Sequence, residues 1–144
     1  MLFRSGMEDF SAAAEVLADI LDTPISPELL PPDEAGNIAQ QTEDLVGPYA
    51  LHDFFLFYAI RYGYAPQRIF DLCCMAFKDD FDRATIHKWL RNFYRRFFTQ
   101  QFKRNCSPEG MKIGPVGLSP RGDWVMPSDA QASIWLKQVD AIKV

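Results

Sequence analysis

Two stretches of the sequence carry side chains that could bind a ligand, and the first is basic. Arg95-Arg96 and Lys103-Arg104 precede a segment rich in Gly and Pro at 114–122. Lys103 follows Arg96 by close to two helical turns, so both side chains can point the same way on a helix. Guanidinium and ammonium groups beside glycine amides suit a phosphate or a carboxylate. A solvated basic helix face paired with acidic residues elsewhere in the chain explains the same pattern, so both interpretations stay open.

The second stretch is acidic. Glu43 and Asp44 stand directly before a Gly-Pro turn and the start of a predicted helix. Adjacent carboxylates at such a place can hold Mg²⁺ through their oxygen atoms. They can equally do no more than favour the positive end of the helix macrodipole, which is the simpler interpretation from the residues alone.

The motifs of a complete catalytic site are missing from this sequence. It contains no G-x-x-x-x-G-K-[ST], no G-x-G-x-x-G and no Ser-Gly-Gly loop. His52 and His87 have no Ser or Cys nucleophile at an interpretable spacing, so a catalytic triad is unsupported. Cys73, Cys74 and Cys106 form no C-x-x-C pair. We therefore expect buried, reduced thiols rather than disulfides or a zinc site.

Charge is divided unevenly along the chain. Residues 1–60 carry eleven acids and one base, whereas residues 61–144 carry fourteen bases and eight acids, for a net charge of −4. A net acidic chain argues against general nucleic-acid binding. No apolar run approaches about 18 residues, and the first residues lack the pattern of a secretory signal. These features predict a cytoplasmic protein that does not span a membrane.

Helical periodicity accounts for most of the chain, and no alternating β pattern of useful length occurs. The predicted fold class is therefore mainly α. Two segments rich in Pro and Gly, 22–48 and 106–127, are predicted loops, and loops of that length usually line a site or link units. Residues 1–5 read as foreign to the rest of the chain and are left out of the fold prediction. The predicted helices are 8–21, 49–62, one starting at Pro66, one from an Asp82 N-cap to about Asn105, and 128–141 capped by Ser128.

Two of the predicted helices carry large apolar surfaces. The helix over 49–62 is apolar on nearly every side, which indicates deep burial. Because that helix is apolar on nearly every side and residues 22–48 have no visible packing partner within the chain, we expect the isolated chain to be partly unfolded or to aggregate. The helix from Asp82 carries one stripe at helical spacing, formed by Ile86, Trp89, Leu90, Phe93, Phe97 and Gln101.

Several strings of the sequence resemble the glutamine-dependent NAD⁺ synthetases. They occur in order and without large gaps over roughly residues 17–137, and no single string would be specific enough alone. The strings are 22–31 (DTPISPELLP), 43–49 (EDLVGPY), 51–54 (LHDF), 95–98 (RRFF), 100–104 (QQFKR), 118–124 (LSPRGDW) and 126–129 (MPSD).

The resemblance implies one part of a larger enzyme. In that family a nitrilase-like glutaminase domain releases ammonia. A synthetase domain of the α/β ATP-pyrophosphatase type (adenine nucleotide alpha hydrolase-like) adenylates deamido-NAD⁺, and ammonia then displaces AMP to give NAD⁺. The strings match the C-terminal, helical portion of the synthetase domain, downstream of its phosphate loop. The implied substrates are deamido-NAD⁺, ATP with Mg²⁺, and ammonia from glutamine. We expect a homo-oligomeric intact enzyme, and we expect this chain alone to bind no ATP or Mg²⁺ and to be inactive.

The resemblance also implies site residues. Lys103, with Arg104 beside it, would bind deamido-NAD⁺. The shorter, ammonia-dependent synthetases have His-Lys-Arg there, so Phe102 contributes no side-chain hydrogen bond in this chain. Ser26 matches a Thr that contacts ATP in those shorter enzymes. Glu43 and Asp44 fall where they have Asp-Glu on a substrate-covering loop, but the order of the two acids is reversed in this chain. Both carboxylates are named as candidate metal ligands, and the reversed order weakens that assignment.

A function of another class remains open. A helical interaction module would bind an acidic partner through basic side chains on its surface. That hypothesis explains the uneven charge but not the ordered strings. A Ser-Gly-Gly-x-Asp-Ser loop in the reading frame upstream would favour the synthetase. The basic residues of the module would be Arg91, Arg95, Arg96, Lys103 and Arg104.

Overall fold

The computed structural model describes residues 13–23 and 42–144, and the chain divides into two units, Met1–Asp44 and Leu45–Val144. Residues 1–5 and Ser26 lie outside the described ranges. Within those ranges every regular element is helical and no strand is present, so the predicted fold class is confirmed. None of the described helices is both long and apolar enough to cross a membrane.

The first helix, α1, covers Ala14–Asp22 and lies in the first unit. This range confirms the described part of the helix predicted over 8–21. The hydroxyl and the backbone N–H of Thr23 both donate to the Asp19 carbonyl, at 2.8 and 3.0 Å, and so end the helix. No side chain of α1 is buried; Val16 and Ile20 are both 62% exposed.

A short helix, α2, covers Thr42–Val46, so the loop predicted over 22–48 was wrong at this point. Glu43 and Asp44 occupy its first turn, where carboxylates favour the positive helix end. The chain then turns at Gly47, whose φ of 92° lies in the left-handed region. Gly47 is buried against Trp89, and a Cβ at this position would come within 2.5 Å of the indole ring. Both facts require glycine here.

The helix predicted over 49–62 is present as α3, Tyr49–Leu56, continued by a π-helical turn at Phe57–Arg61. Gly63, with a φ of 63°, ends it as expected of a C′ glycine. Leu51 and Phe55 are fully buried inside this chain, so one face of the helix packs against other parts of it. Deep burial holds for one face only, because Tyr49, Phe54 and Leu56 of α3 are half-buried and Ala50 is exposed.

Local signals placed the starts of the next two helices correctly. Helix α4 covers Pro66–Ala76, with Pro66 in its first turn, and α5 covers Arg83–Thr99. The Asp82 carboxylate caps α5 by accepting from the Thr85 N–H at 2.6 Å. The end predicted near Asn105 was wrong, because the helix breaks at Gln100.

After the break, helix α6 covers Gln101–Asn105, and the segment 106–127 contains no helix or strand, as predicted for a loop. The last helix, α7, covers Ser133–Asp140. The predicted cap at Ser128 was therefore wrong. The Ser128 hydroxyl instead accepts from the Asn105 side-chain amide at 2.7 Å, and the Ala130 N–H closes a turn on the Pro127 carbonyl at 3.2 Å.

The core of the second unit lies between α3, α4, α5 and α7. Helix α5 contributes six of its fourteen buried apolar residues, more than any other helix. The predicted apolar stripe is confirmed except that Trp89 is only half-buried. His87 and Arg91 join α5 to α7: the His87 imidazole lies 2.9 Å from the Val139 carbonyl, and Arg91 pairs with Asp140 at 2.7 Å. The buried apolar residues are Leu51, Phe55, Ile69, Phe70, Cys73, Ile86, Leu90, Phe93, Tyr94, Phe97, Phe98, Ala132, Val139 and Ile142.

Candidate functional site

The basic string at 100–104 is organised around a buried amide. Gln101 is fully buried and is the one polar side chain so buried among the described residues. Its amide nitrogen donates to the Asn105 side-chain oxygen at 2.9 Å and to the Met126 carbonyl at 3.1 Å. Its amide oxygen accepts from Nε and Nη2 of Arg104, at 2.9 and 2.7 Å. Gln101 thus satisfies its own polar atoms and fixes both Arg104 and the chain near Met126.

Arg104 is held on three sides. Besides its two bonds to Gln101, its Nη2 donates to the Phe97 carbonyl, and its guanidinium lies over the Phe97 ring at 4.4 Å from the centroid. Burial lowers the pKa of Arg104, but an arginine stays charged at any physiological pH. It makes no ion pair with a carboxylate of any described residue. A rigid, half-buried positive charge without a counter-charge is the central feature of this region.

Lys103 lies next to Arg104 but in a different environment. Its side chain is exposed and makes no hydrogen bond or ion pair within the part of the chain that the structure describes. Its backbone is fixed, since its N–H donates to the Gln100 carbonyl at 3.1 Å and its carbonyl accepts from the Ser107 hydroxyl at 3.0 Å. The ammonium group therefore extends from a residue whose backbone is fixed in a helix, and it is available to a ligand.

A cleft of about 180 Å³ opens on the other side of Arg104; we call it the guanidinium cleft. It brings Arg96 of α5 and Arg104 of α6 to the same space, with His52 of α3 beside them. The helical spacing predicted that Arg96 and Lys103 point the same way, but Lys103 does not line this cleft. The helix break at Gln100 interrupts the helical register between the two residues. The lining residues are Val46, His52, Leu56, Phe93, Arg96, Phe97, Gln100, Arg104 and Leu118.

His52 is the titratable group of the guanidinium cleft. Its ring meets the Phe93 ring edge-on, with the centroids 5.5 Å apart. Burial lowers the pKa of His52 below its ordinary value; the Asp53 carboxylate opposes this shift and the positive charge of Arg96 adds to it. The imidazole is therefore mostly neutral near pH 7.

A second cleft, of about 330 Å³, lies between Arg104 and the loop over 107–123; we call it the loop cleft. A turn of this loop is closed by the Ser119 carbonyl, which accepts hydrogen bonds from the N–H groups of Asp123 and Trp124 at 3.0 and 2.9 Å. Gly117 packs directly against the Asp123 carboxylate. The lining residues are Arg104, Ser107, Pro108, Gly110, Met111, Lys112, Gly117, Leu118, Ser119, Pro120 and Asp123.

The basic residues of this loop are already engaged by other loop atoms. Lys112 pairs with Asp123 at 2.8 Å. Arg121 donates to the Ser107 carbonyl at 2.8 Å and approaches Glu109 at 3.7 Å. The loop therefore uses its charges to hold its own shape, whereas Arg104, which also lines the cleft, makes no ion pair with a described residue.

Cysteine and metal chemistry add little to the site. Cys73 is buried, and burial together with the neighbouring Cys74 raises its pKa to about 12. Cys106 is exposed, so the expectation of buried thiols was wrong for this residue. No group of three or more candidate metal ligands occurs within 13–23 and 42–144.

Sequence reasoning found Arg104 and Lys103 but missed the residue that positions them. Periodicity places Gln101 in the apolar stripe because it follows Phe97 by one helical turn. A polar side chain inside an apolar stripe was the available signal for a buried hydrogen-bonding centre. The sequence suggests no role for His52 beyond an unsupported catalytic triad, since its approach to Arg96 depends on how α3 packs on α5.

Comparisons with known proteins agree with the sequence resemblance. No protein-family model matches the chain. The chain is 43% identical to proteins named glutamine-dependent NAD⁺ synthetase from Mycobacterium tuberculosis and Mycobacterium bovis, over an alignment that covers 88% of this chain. The protein of the same name from Mycobacterium leprae is 41% identical over the same share. The chain spans 21% of the length of each of these relatives.

Proposed function

We propose that this chain, which matches glutamine-dependent NAD⁺ synthetases over 88% of its length, is the C-terminal part of such a ligase. The intact enzyme would convert deamido-NAD⁺ to NAD⁺ with ATP and ammonia released from glutamine. An adenylated nicotinate carboxylate would be the intermediate. The phosphate loop for ATP and the glutaminase nucleophile would lie on other parts of the longer protein, so this chain alone would form no NAD⁺.

The observation that carries this proposal is the arrangement of the string at 100–104. Deamido-NAD⁺ bears a carboxylate and a pyrophosphate, and both are anions that ammonium and guanidinium groups bind well. Lys103 presents an available ammonium group, and the buried Gln101 holds Arg104 beside it. A charge-assisted hydrogen bond of this kind is worth about 1.5–3 kcal/mol. We propose that Lys103 and Arg104 bind deamido-NAD⁺ from this wall of the site.

Three further assignments belong to the same proposal. Ser26 would contact ATP, and Glu43 and Asp44 would lie near the Mg²⁺ that accompanies it. The intact enzyme would be a homo-oligomer, which the chain's own residues do not determine. The competing interaction module explains the unpaired charges of Arg96 and Arg104 equally well, but it gives no reason for 43% identity to a ligase.

The test is NAD⁺ formation by the longer protein that carries this chain. The purified protein is incubated with ATP, deamido-NAD⁺ and Mg²⁺, with either glutamine or ammonium chloride as nitrogen source, and NAD⁺ and AMP are measured. We expect equal amounts of the two products with both nitrogen sources, and no product from residues 1–144 alone. Absence of NAD⁺ with ammonium would exclude the synthetase and favour the interaction module. Steady product from the 144-residue chain would show that the catalytic parts lie within it.

A further inference from the structure

The guanidinium of Arg104 can bind an anion only through the N–H groups that its protein partners leave free. Its Nε and Nη2 donate to the Gln101 amide oxygen at 2.9 and 2.7 Å, and Nη2 also donates to the Phe97 carbonyl. Its Nη1 makes no hydrogen bond to any residue in the described ranges. Because the guanidinium is planar, the two bonds to Gln101 fix the direction in which Nη1 points.

The Gln101 amide is itself held at its other end. Its nitrogen donates to the Asn105 side-chain oxygen at 2.9 Å and to the Met126 carbonyl at 3.1 Å. The amide has acceptors at its nitrogen and donors at its oxygen, so it cannot turn over without losing all of these bonds. Gln101 is fully buried, and water therefore does not replace a bond that is lost. The orientation of Arg104 is thus set, through Gln101, by the segment around Met126.

A neutral amide is also the kind of acceptor that leaves Arg104 its charge. A Glu at position 101 would have the same length and could accept the same bonds, but its carboxylate would form an ion pair with the guanidinium. Arginines that are partly buried usually have such a partner, whereas Arg104 has none among the described residues. Gln101 therefore orients Arg104 without competing with an anionic substrate for it.

We propose that Gln101 is a positioning residue for deamido-NAD⁺, which it does not touch, and that it raises the affinity for this substrate by keeping Arg104 oriented and charged. This role rests on the proposed function, in which Arg104 binds deamido-NAD⁺. The amide oxygen fixes the direction of the guanidinium, and the neutrality of the amide preserves its charge. A donor held in place before binding loses little entropy when the substrate arrives. The effect of Gln101 is therefore expected in KM rather than in kcat.

The experiment measures kcat and KM for deamido-NAD⁺ and for ATP in the longer protein that carries this chain. Gln101→Met keeps the length of the side chain and removes its hydrogen bonds. It should raise KM for deamido-NAD⁺ about five- to tenfold, with little change in kcat or in KM for ATP. Gln101→Glu keeps the bonds from Arg104 but adds a counter-charge, so it should raise the same KM by about as much or more.

Thermal unfolding of the same two variants separates positioning from a structural role. Gln101→Glu should unfold at a higher temperature than Gln101→Met, because it keeps the bonds from Arg104. The variant that is more stable is therefore expected to bind deamido-NAD⁺ no better than the less stable one. A KM that follows stability, with Gln101→Glu close to the unsubstituted protein, would contradict the proposal.

A double-mutant cycle with Arg104→Lys tests whether Gln101 acts through Arg104. Arg104→Lys alone should raise KM for deamido-NAD⁺, because a lysine lacks the planar fork that the Gln101 amide orients. Gln101→Met should then raise KM by less than about twofold more in that background. Asn105→Ala is the matched control, since it removes a partner of the same amide on the side away from Arg104. It should lower stability and leave KM for deamido-NAD⁺ within about twofold of the unsubstituted value.

The reference measurements distinguish a failure of this role from a failure of the proposed function. No NAD⁺ formation by the unsubstituted protein would overturn both, and an unchanged KM in Arg104→Lys would remove Arg104, and Gln101 with it, from substrate binding. With activity and the Arg104 effect present, three results would overturn the role of Gln101 alone. They are an unchanged KM in Gln101→Met, an additive effect in the Arg104→Lys background, and an equal rise of KM in Asn105→Ala.

Discussion

Single residues decide how this region presents its charge, and Gln101 is the clearest case. Its buried amide joins Arg104, Asn105 and the Met126 carbonyl. Removing a group of this kind leaves several polar atoms without partners, which costs more than the bonds themselves contribute. The position of Arg104 therefore depends on a residue that need not touch any ligand.

Lys103 is the residue whose substitution reports most directly on the proposed substrate. In the longer protein, Lys103→Ala should lower kcat/KM for deamido-NAD⁺ by about ten- to a hundredfold, because one charge-assisted bond is lost. The value of kcat/KM for ATP should change little. Lys103→Arg should restore activity only in part, since a planar fork does not replace a compact ammonium.

Two controls separate a lost contact from a damaged fold. Lys137 is an exposed lysine of α7, and Lys137→Ala should leave both kinetic constants unchanged. Glutaminase turnover without synthetase substrates should stay close to normal in every variant. If the Lys103 variants lose activity equally toward deamido-NAD⁺ and ATP, a folding defect explains the loss. If they lose none, Lys103 does not belong to the site.

At the scale of elements, the turn between α2 and α3 is the most demanding piece of backbone. Gly47 combines a φ of 92° with close contact to the Trp89 ring, whereas Gly63 has a φ of 63° and open space where a Cβ would lie. Gly47→Ala should therefore lower the free energy of unfolding by about 3 kcal/mol or more, from backbone strain plus steric overlap. Gly63→Ala should cost only about 1–2 kcal/mol, from backbone strain alone.

Urea denaturation followed by circular dichroism measures both changes. The same two substitutions distinguish strain from overlap, because both glycines lie at positive φ and differ in their surroundings. Equal losses of stability in the two variants would mean that the Trp89 contact contributes nothing. If Gly47→Ala instead costs more and overlap with Trp89 is the cause, the double variant Gly47→Ala with Trp89→Leu should recover part of the loss.

The sequence predicted those elements whose ends are set by local chemistry. Asp82 caps its helix through a hydrogen bond three residues away, Pro66 fits a first turn, and Gly63 permits the left-handed stop. Ser128 is a favoured N-cap residue like Asp82, but its hydroxyl instead accepts a hydrogen bond from the Asn105 side chain, which is distant in the sequence. Periodicity alone could not show that competition, nor the break at Gln100 within an otherwise helical pattern.

The candidate site divides in the same way. Arg104 and Lys103 stand in a recognisable string, so sequence reasoning could name them. The guanidinium cleft depends on α3 packing against α5, which brings His52 to Arg96 across more than forty positions. No local pattern encodes that approach. The ion pair between Lys112 and Asp123 likewise depends on how the loop folds, and the sequence alone does not predict it.

For the whole molecule, the structure explains part of the uneven charge. The basic half pairs some of its charges internally, as Arg91 does with Asp140 and Lys112 with Asp123. Arg96 and Arg104 are different, since they line one cleft and meet no carboxylate of a described residue. The excess positive charge of residues 61–144 is thus not spread evenly over a solvated face. Two of its members line the same cleft.

The second unit also has the core that an independently folding domain needs. Fourteen apolar residues are buried in one cluster drawn from α3, α4, α5, α7 and the segments around α7. We predict that residues 45–144 unfold cooperatively and as a monomer, reversing the expectation drawn from the sequence. A unit of about 100 residues should show an unfolding enthalpy of about 60–80 kcal/mol at its midpoint.

Differential scanning calorimetry of the 144-residue chain and of residues 45–144 tests this prediction, with sedimentation to establish the monomer. Because no side chain of α1 is buried, Ile20→Ala should shift the midpoint by only about 5 °C or less, which corresponds to about 1 kcal/mol. Leu90→Ala, which opens a cavity at a fully buried position, should lower it much further, by about 10 °C or more. A broad, non-cooperative transition in both chains would mean that this core requires contacts from the rest of a longer protein.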